Sequence, residues 1–211
     1  MNDTEYQKRL AKIDLFDEAV YLTRFQENGR PGSCREISPV DLAAAFANQD
    51  IVSPILPPNT ILWTRKDGVD RFVIYLPPAV PTLIAADTSE RQPLAVPIPG
   101  LIWIAAGSTH KCYAVKQRPT RLTERLFMAP LANVNGDQGR VCWGNVRPGK
   151  DPVKAITQFF EADFSGHWAN ECSKKYPDNV IDHWRELSQA EAADYPLDDL
   201  VKTKMKLGDV L

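Results

Sequence analysis

Nine of the seventeen prolines of this 211-residue chain fall between Pro54 and Pro99. A proline inside a helix removes a hydrogen bond and clashes with the preceding turn, so this stretch has to be built from short strands and turns. The runs between the prolines agree. "TILWTR" and "DRFVIYLP" flank "KDGV", an Asp-Gly turn signal between β-rich segments, so residues 60–76 are expected as a β-hairpin ended by Pro77 and Pro78. "PTLIAAD", "LAVPI", "LIWIAAG" and "HKCYAVK" add further short strand candidates. The third is continuously apolar, as a central strand covered on both faces must be. An antiparallel meander is the expectation for the middle of the chain.

On either side the pattern changes. "EAVYLTRF" reads as a first strand, and "SPVDLAAAFAN" as a helix with Ser38 as N-cap, Pro39 at the first helical position and Asp41 completing a capping box. Downstream, "DPVKAITQFFEADF" places Val153, Ile156, Phe160 and Phe164 at helical spacing behind an Asp151 cap and Pro152. "NVIDHWRELSQAEAAD" predicts a second helix with Val180, Trp184 and Leu187 on one face and His183 on the polar side. The polar segment 195–211 is expected as a mobile tail. Strands and helices are segregated rather than alternating, which makes the class α+β and excludes a doubly wound fold. One domain over 1–211 is expected, with 1–50 as an N-terminal strand and helix extension.

Composition narrows the function. With 25 basic and 27 acidic residues interspersed along the chain, no electrostatic footprint for nucleic acid or an anionic membrane stands out. No run of 18 or more apolar residues occurs and the N-terminus lacks a secretion signal, so a cytoplasmic protein is expected. Cys34, Cys112, Cys142 and Cys172 are never closer than 30 residues, a spacing that reads as reduced thiols rather than a disulfide framework or paired metal knuckles. A zinc site from His110, Cys112, Cys142 and Cys172 would need ligands converging from distant segments, and is not expected.

One segment is out of place in this simple architecture. Between the last strand candidate and Pro152 lie about 35 residues with little periodicity, against a usual connection of about 4 to 6. Leu126, Phe127, Met128, Leu131, Val134, Val141 and Trp143 make the segment too apolar for a disordered linker. It is expected to be ordered and to present Cys142 after a glycine-bearing turn. "LANVNGDQGRVCWGN" resembles the active-site stretch of ubiquitin-conjugating enzymes, in which a His-Pro-Asn tripeptide precedes a Gly-x-hydrophobic-Cys sequence. Gly139, Arg140, Val141 and Cys142 correspond to the cysteine end, and Asn133 stands where the tripeptide's asparagine would. Leu131 and Ala132 replace its histidine and proline, and one extra residue lies between.

The longer run over 100–168 resembles the prokaryotic branch of that superfamily, the family D type that includes PRTRC system protein B. Arg118-Pro119, Pro130, Asn133-Val134, Cys142 and Gly144 fall in the family's order, and "FFEADFSGHW" resembles the aromatic segment that follows. The resemblance implies a fold like that of ubiquitin-conjugating enzymes. It also implies Cys142 as a thioester nucleophile, Asn133 as oxyanion support, and Gly139, Trp143, Gly144 and His167 as loop or partner contacts. Implied partners are a ubiquitin-like protein, an adenylating activating enzyme and a target protein, in plasmid-borne or antiphage modification. No cofactor is implied, ATP being used by the activating enzyme.

The chemistry fits those residue types. A thiol with an ordinary pKa near 8.5 exchanges thioesters without a strong adjacent base. Aminolysis of the thioester passes through an oxyanion, for which one aimed amide donor is worth about 3 kcal/mol. Each residue has a plainer reading beside this one. Asn133 suits an Asx turn, Cys142 a buried structural thiol, His167 an exposed helix end, and Arg118, Arg121 and Arg125 a solvated face. Two other functions stay open: a non-catalytic binding module on the same fold, and a cysteine hydrolase, which needs a histidine within reach of the sulfur.

Overall fold

The computed structural model describes residues 10–17, 19–47, 52–66, 68–144 and 147–211. The chain divides into two compact units, Met1–Val52 and Ser53–Leu211. In the first, β1 (Ala11–Leu15), β2 (Val20–Phe25) and β3 (Pro31–Ile37) pair antiparallel in that order, with Leu15 opposite Val20 and Val20 opposite Ile37. α1 (Pro39–Ala47) follows where the proline and its cap predict it. The Ser38 hydroxyl accepts from Val40 N–H at 3.1 Å. Asn48, the end of the expected helix, lies outside the described residues.

The second unit is built on β4 (Thr60–Lys66), β5 (Val69–Leu76), β6 (Thr82–Ala85), β7 (Gln92–Ala95), β8 (Gly100–Ala106), β9 (Thr109–Val115), β10 (Arg125–Met128), α2 (Pro152–Phe160), β11 (Asp163–Phe164), α3 (Val180–Gln189), β12 (Lys202–Lys206) and a 3-10 turn (Leu207–Val210). β4 and β5 form the expected hairpin, with Trp63 opposite Phe72. Of its turn, Asp67 lies outside the described residues and Gly68 takes φ 75°, a left-handed conformation that glycine adopts without strain. The large sheet runs β12-β10-β9-β8-β5-β4, antiparallel throughout.

β8 lies inside this sheet, and its apolar sequence follows from cover on both faces. Leu101, Trp103 and Ala105 enter one buried cluster, Ile102 and Ile104 the other. β9 alternates in the same way, with Cys112 and Ala114 on the first face and Tyr113 and Val115 on the second. The first face is packed by Phe159 of α2, by Ile181 and Trp184 of α3, and by Leu83 and Leu94. Leu207 and Val210 enter the second cluster. The whole is a mixed α/β arrangement with mostly antiparallel sheets and few helices, compatible with a fold of the expected kind.

Four expectations are corrected. The strand candidates at 82–98 do not extend the meander. β6 and β7 form a separate sheet completed by β11, which runs parallel to β6, so β5 pairs directly with β8. In α2 the buried residues are Pro152, Ala155 and Phe159, while Val153 is 44 % exposed. Ala155 and Phe159 share the i, i+4 spacing of Ile156 and Phe160, and the large ring of Phe159 decides which side faces the core. His183 is buried rather than on a polar side, because Tyr195 and Asp199 pack over it. The segment expected as a tail is instead packed against the rest of the unit. Thr203 of β12 donates to the Leu126 carbonyl at 2.8 Å, and Leu200, Leu207 and Val210 are buried.

Candidate active site at the Cys142 cleft

The long segment before Pro152 folds back on itself. Val134 and Val141 form an antiparallel bridge, Asn135 N–H donates to Arg140 O at 2.8 Å, and Cys142 N–H donates to Asn133 O at 2.7 Å. The turn between them is closed by Gly139, at φ 63°, whose N–H reaches Asn135 O at 2.6 Å. A Cβ on Gly139 would sit 2.5 Å from the Tyr113 ring, so glycine is required there on two counts. The returning limb docks along β9: Cys112 N–H donates to Gly139 O at 2.7 Å and Val141 N–H to His110 O at 3.1 Å. This pairing brings Cys142 beside Asn133.

Asn133 is tied on its other side to residues 163–167. Its N–H donates to His167 O at 3.0 Å, its Nδ2 to Asp163 O at 3.0 Å, and its Oδ1 accepts from Ser165 Oγ at 3.3 Å. Its backbone takes φ 65°, a region that asparagine tolerates better than most residues. The side chain therefore makes no Asx turn: its hydrogen bonds go to a distant segment rather than to its own turn.

Between these segments opens a cleft of about 340 Å³. Asn133, Cys142, Trp143, Gly144 and His167 line it, together with Gln158, Phe159, Ala162, Asp163 and Ser165. Five of the six sequence candidates thus meet at one place. The sixth, Gly139, stands away from the cleft and acts on the turn. Asp163 and Ser165 were within reach of sequence reasoning, since they lie inside the aromatic segment already singled out. Gln158 carried no signal, being one polar residue on an amphipathic helix.

The floor of the cleft is aromatic. Trp143 meets Trp103, His110 and Phe159 edge to face, with ring centroids 6.3, 5.3 and 6.1 Å apart. Such pairs contribute about 0.5 to 1.5 kcal/mol each beyond burial. On the rim, Arg91 holds the Asp163 carboxylate at 2.5 Å.

The other thiols are placed differently. Cys112 and Cys172 are fully buried, and burial pushes both thiols up, that of Cys172 to about 12. Cys34 is exposed in the first unit. In the second unit Cys142 is the cysteine that opens on a cleft. Among the described residues no histidine nitrogen bonds its sulfur and no group of three or more His, Cys, Asp or Glu side chains is placed to hold a metal ion. His167, expected at a helix end, stands in a turn on the cleft rim.

The model of prokaryotic E2 family D matches residues 37–203, and the chain belongs to that family. Membership suggests a role related to ubiquitin-like conjugation. No curated protein and no solved structure matches the chain. Among the described residues no helix is long and apolar enough to cross a membrane.

Proposed function

We propose that this protein is a conjugating enzyme of a bacterial ubiquitin-like modification system. It accepts the C-terminal carbonyl of a ubiquitin-like protein from an activating enzyme as a thioester on Cys142, and passes it to an amine of a target protein. The observation that carries this reading is the placement of Cys142 in an open cleft opposite Asn133, in a chain of the E2 family. An open cleft suits a donor that is itself a protein, whose tail has to reach the sulfur while its body stays outside.

In the exchange step the Cys142 thiolate attacks the incoming thioester and the activating enzyme's thiol leaves. In the transfer step the neutral amine attacks the Cys142 thioester, a C–N bond forms as the C–S bond breaks, Cys142 leaves as thiolate, and the proton lost by the amine nitrogen passes to solvent. The negative charge on the carbonyl oxygen is met by the Asn133 amide. One Nδ2 hydrogen is spent on Asp163 O, and this contact holds the group so that the second can point at the oxyanion without reorganising. Gly144 and Trp143 shape the wall, and His167 meets the partner at the rim.

A second reading, a binding module with an idle cysteine, draws support from the engagement of both ends of the Asn133 amide by Asp163 and Ser165. The serine variant separates the two. Cys142→Ser, given the activating enzyme and ATP, accumulates an oxyester that resists thiols and is cut by hydroxide, and Cys142→Ala gives no adduct. Equal modification of both variants would locate the acceptor elsewhere and sink the conjugating reading.

A further inference from the structure

His110 on β9 is 98 % buried by its 2 % exposure, yet it is a polar residue on the sheet face that packs against the cleft floor. Its Nδ1 accepts the indole N–H of Trp103 at 3.1 Å, which leaves the proton of the neutral ring on Nε2. Among the described residues Nε2 makes no hydrogen bond of good geometry, its polar interaction being with the Gly149 backbone. The rest of the residue faces the thiol loop. The backbone carbonyl of His110 receives Val141 N–H, and its ring stands edge to face against Trp143, so it touches the residues on both sides of Cys142.

We infer that His110 is a positioning residue for Cys142, its ring clamped by Trp103 on one side and holding Trp143, and with it the thiol, at the cleft wall. This deepens the conjugating reading and rests on it, since a position matters only if Cys142 reacts. Burial disfavours the charged ring, and the Gly149 backbone offsets this only in part, so the clamp is held by the neutral form.

Two variants separate the halves of the clamp. His110→Asn keeps an acceptor near the Trp103 N–H and removes the ring from Trp143; His110→Phe keeps a ring against Trp143 and removes the acceptor. The readout is the iodoacetamide labelling rate of each cysteine, resolved by peptide mass, in the full chain without partners. In His110→Asn the freed loop exposes its thiol, and Cys142 labels about fivefold faster or more, while buried Cys112 and Cys172 stay as slow as in the wild type. In His110→Phe Cys142 stays within about twofold of the wild type. An unchanged Cys142 rate in His110→Asn, an equal rise in His110→Phe, or labelling of Cys112 and Cys172 in step with Cys142 in either variant overturns the inference, the last because it marks general loosening. The labelling needs no modifier or activating enzyme, so a protein that forms no thioester would fail the conjugating reading and leave this result intact.

Discussion

Cys142 and Asn133 face each other across a two-stranded turn, joined by a 2.7 Å hydrogen bond from the cysteine N–H to the asparagine carbonyl. The same asparagine makes three further hydrogen bonds to residues 163–167. It is therefore the link between the thiol and the opposite wall of the cleft, and its backbone and its side chain have separate duties.

Asn133→Gly tests the side chain alone, because glycine takes φ 65° without strain whereas alanine there would add a backbone penalty of about 1 to 2 kcal/mol. Thioester formation on Cys142 should continue, and its discharge to a free amine should slow by about 10². Discharge within about threefold of the wild type would reduce Asn133 to a strut.

Gly139→Ala should destabilise the second unit by about 2 kcal/mol or more, since the new methyl group meets the Tyr113 ring at 2.5 Å in a left-handed backbone. The Tyr113 hydroxyl donates to Gln138 O at 2.7 Å, so the ring is not free to swing away. The denaturation midpoint reads this directly, and an unchanged midpoint would mean that the turn has another conformation.

Thiol labelling of the native wild type should be confined to Cys34 and Cys142. Cys112 and Cys172 become reactive only on unfolding, since burial both shields the sulfur and opposes the thiolate. Peptide mass after brief alkylation shows the pattern, and prompt labelling of Cys172 would contradict the packing around α3.

Stability should fall in two stages as the medium is acidified. Burial holds His110 and His183 below the ordinary 6.5, in His183 against the opposing pull of Asp199, so both are neutral when folded. The unfolded chain takes up their protons first, and stability present above 6.5 is lost as pH falls below it, by at most about 1.4 kcal/mol per pH unit for each group. Burial alone would raise Asp199, but hydrogen bonds from Tyr195 O–H, Lys175 N–H and Ser173 O–H outweigh it and hold the carboxyl below 3.8. Asp87 is likewise held below 3.8 by Arg185 and Asn179 against burial. Those two contributions are lost in a second stage, below 3.8. Urea midpoints measured across the range check both stages, and a midpoint flat from about pH 7.5 to about pH 5 would contradict the neutral buried histidines.

Much of the second unit could be read in the chain because its strands and helices obey local rules. The β4–β5 hairpin follows from its glycine turn, β8 from an unbroken apolar run, and α2 from Asp151, whose carboxylate accepts from Val153 N–H at 3.0 Å. What was not legible depends on partners far away in the chain. β10 is four residues inside an otherwise irregular segment, stabilised by pairing with β9 and β12. β12, "KTKMK", looks like a solvated tail because an edge strand carries lysines that discourage further pairing. His183 sits inward because Asp199, sixteen positions later, supplies the partner a buried imidazole needs. At the site, the motif led to Cys142 and Asn133, while the Asp163, Ser165 and His167 contacts depend on how α2 hands the chain back to the thiol loop.

The most direct test of the central claim is the species on Cys142. The purified protein is mixed with ATP, the ubiquitin-like protein and the activating enzyme of the same system, and the adduct is resolved on a non-reducing gel and located by peptide mass. The account predicts a thiol-labile adduct on Cys142 that is lost in Cys142→Ala. No adduct, with an activating enzyme shown to be charged, would contradict it and leave a protein-binding module on this fold.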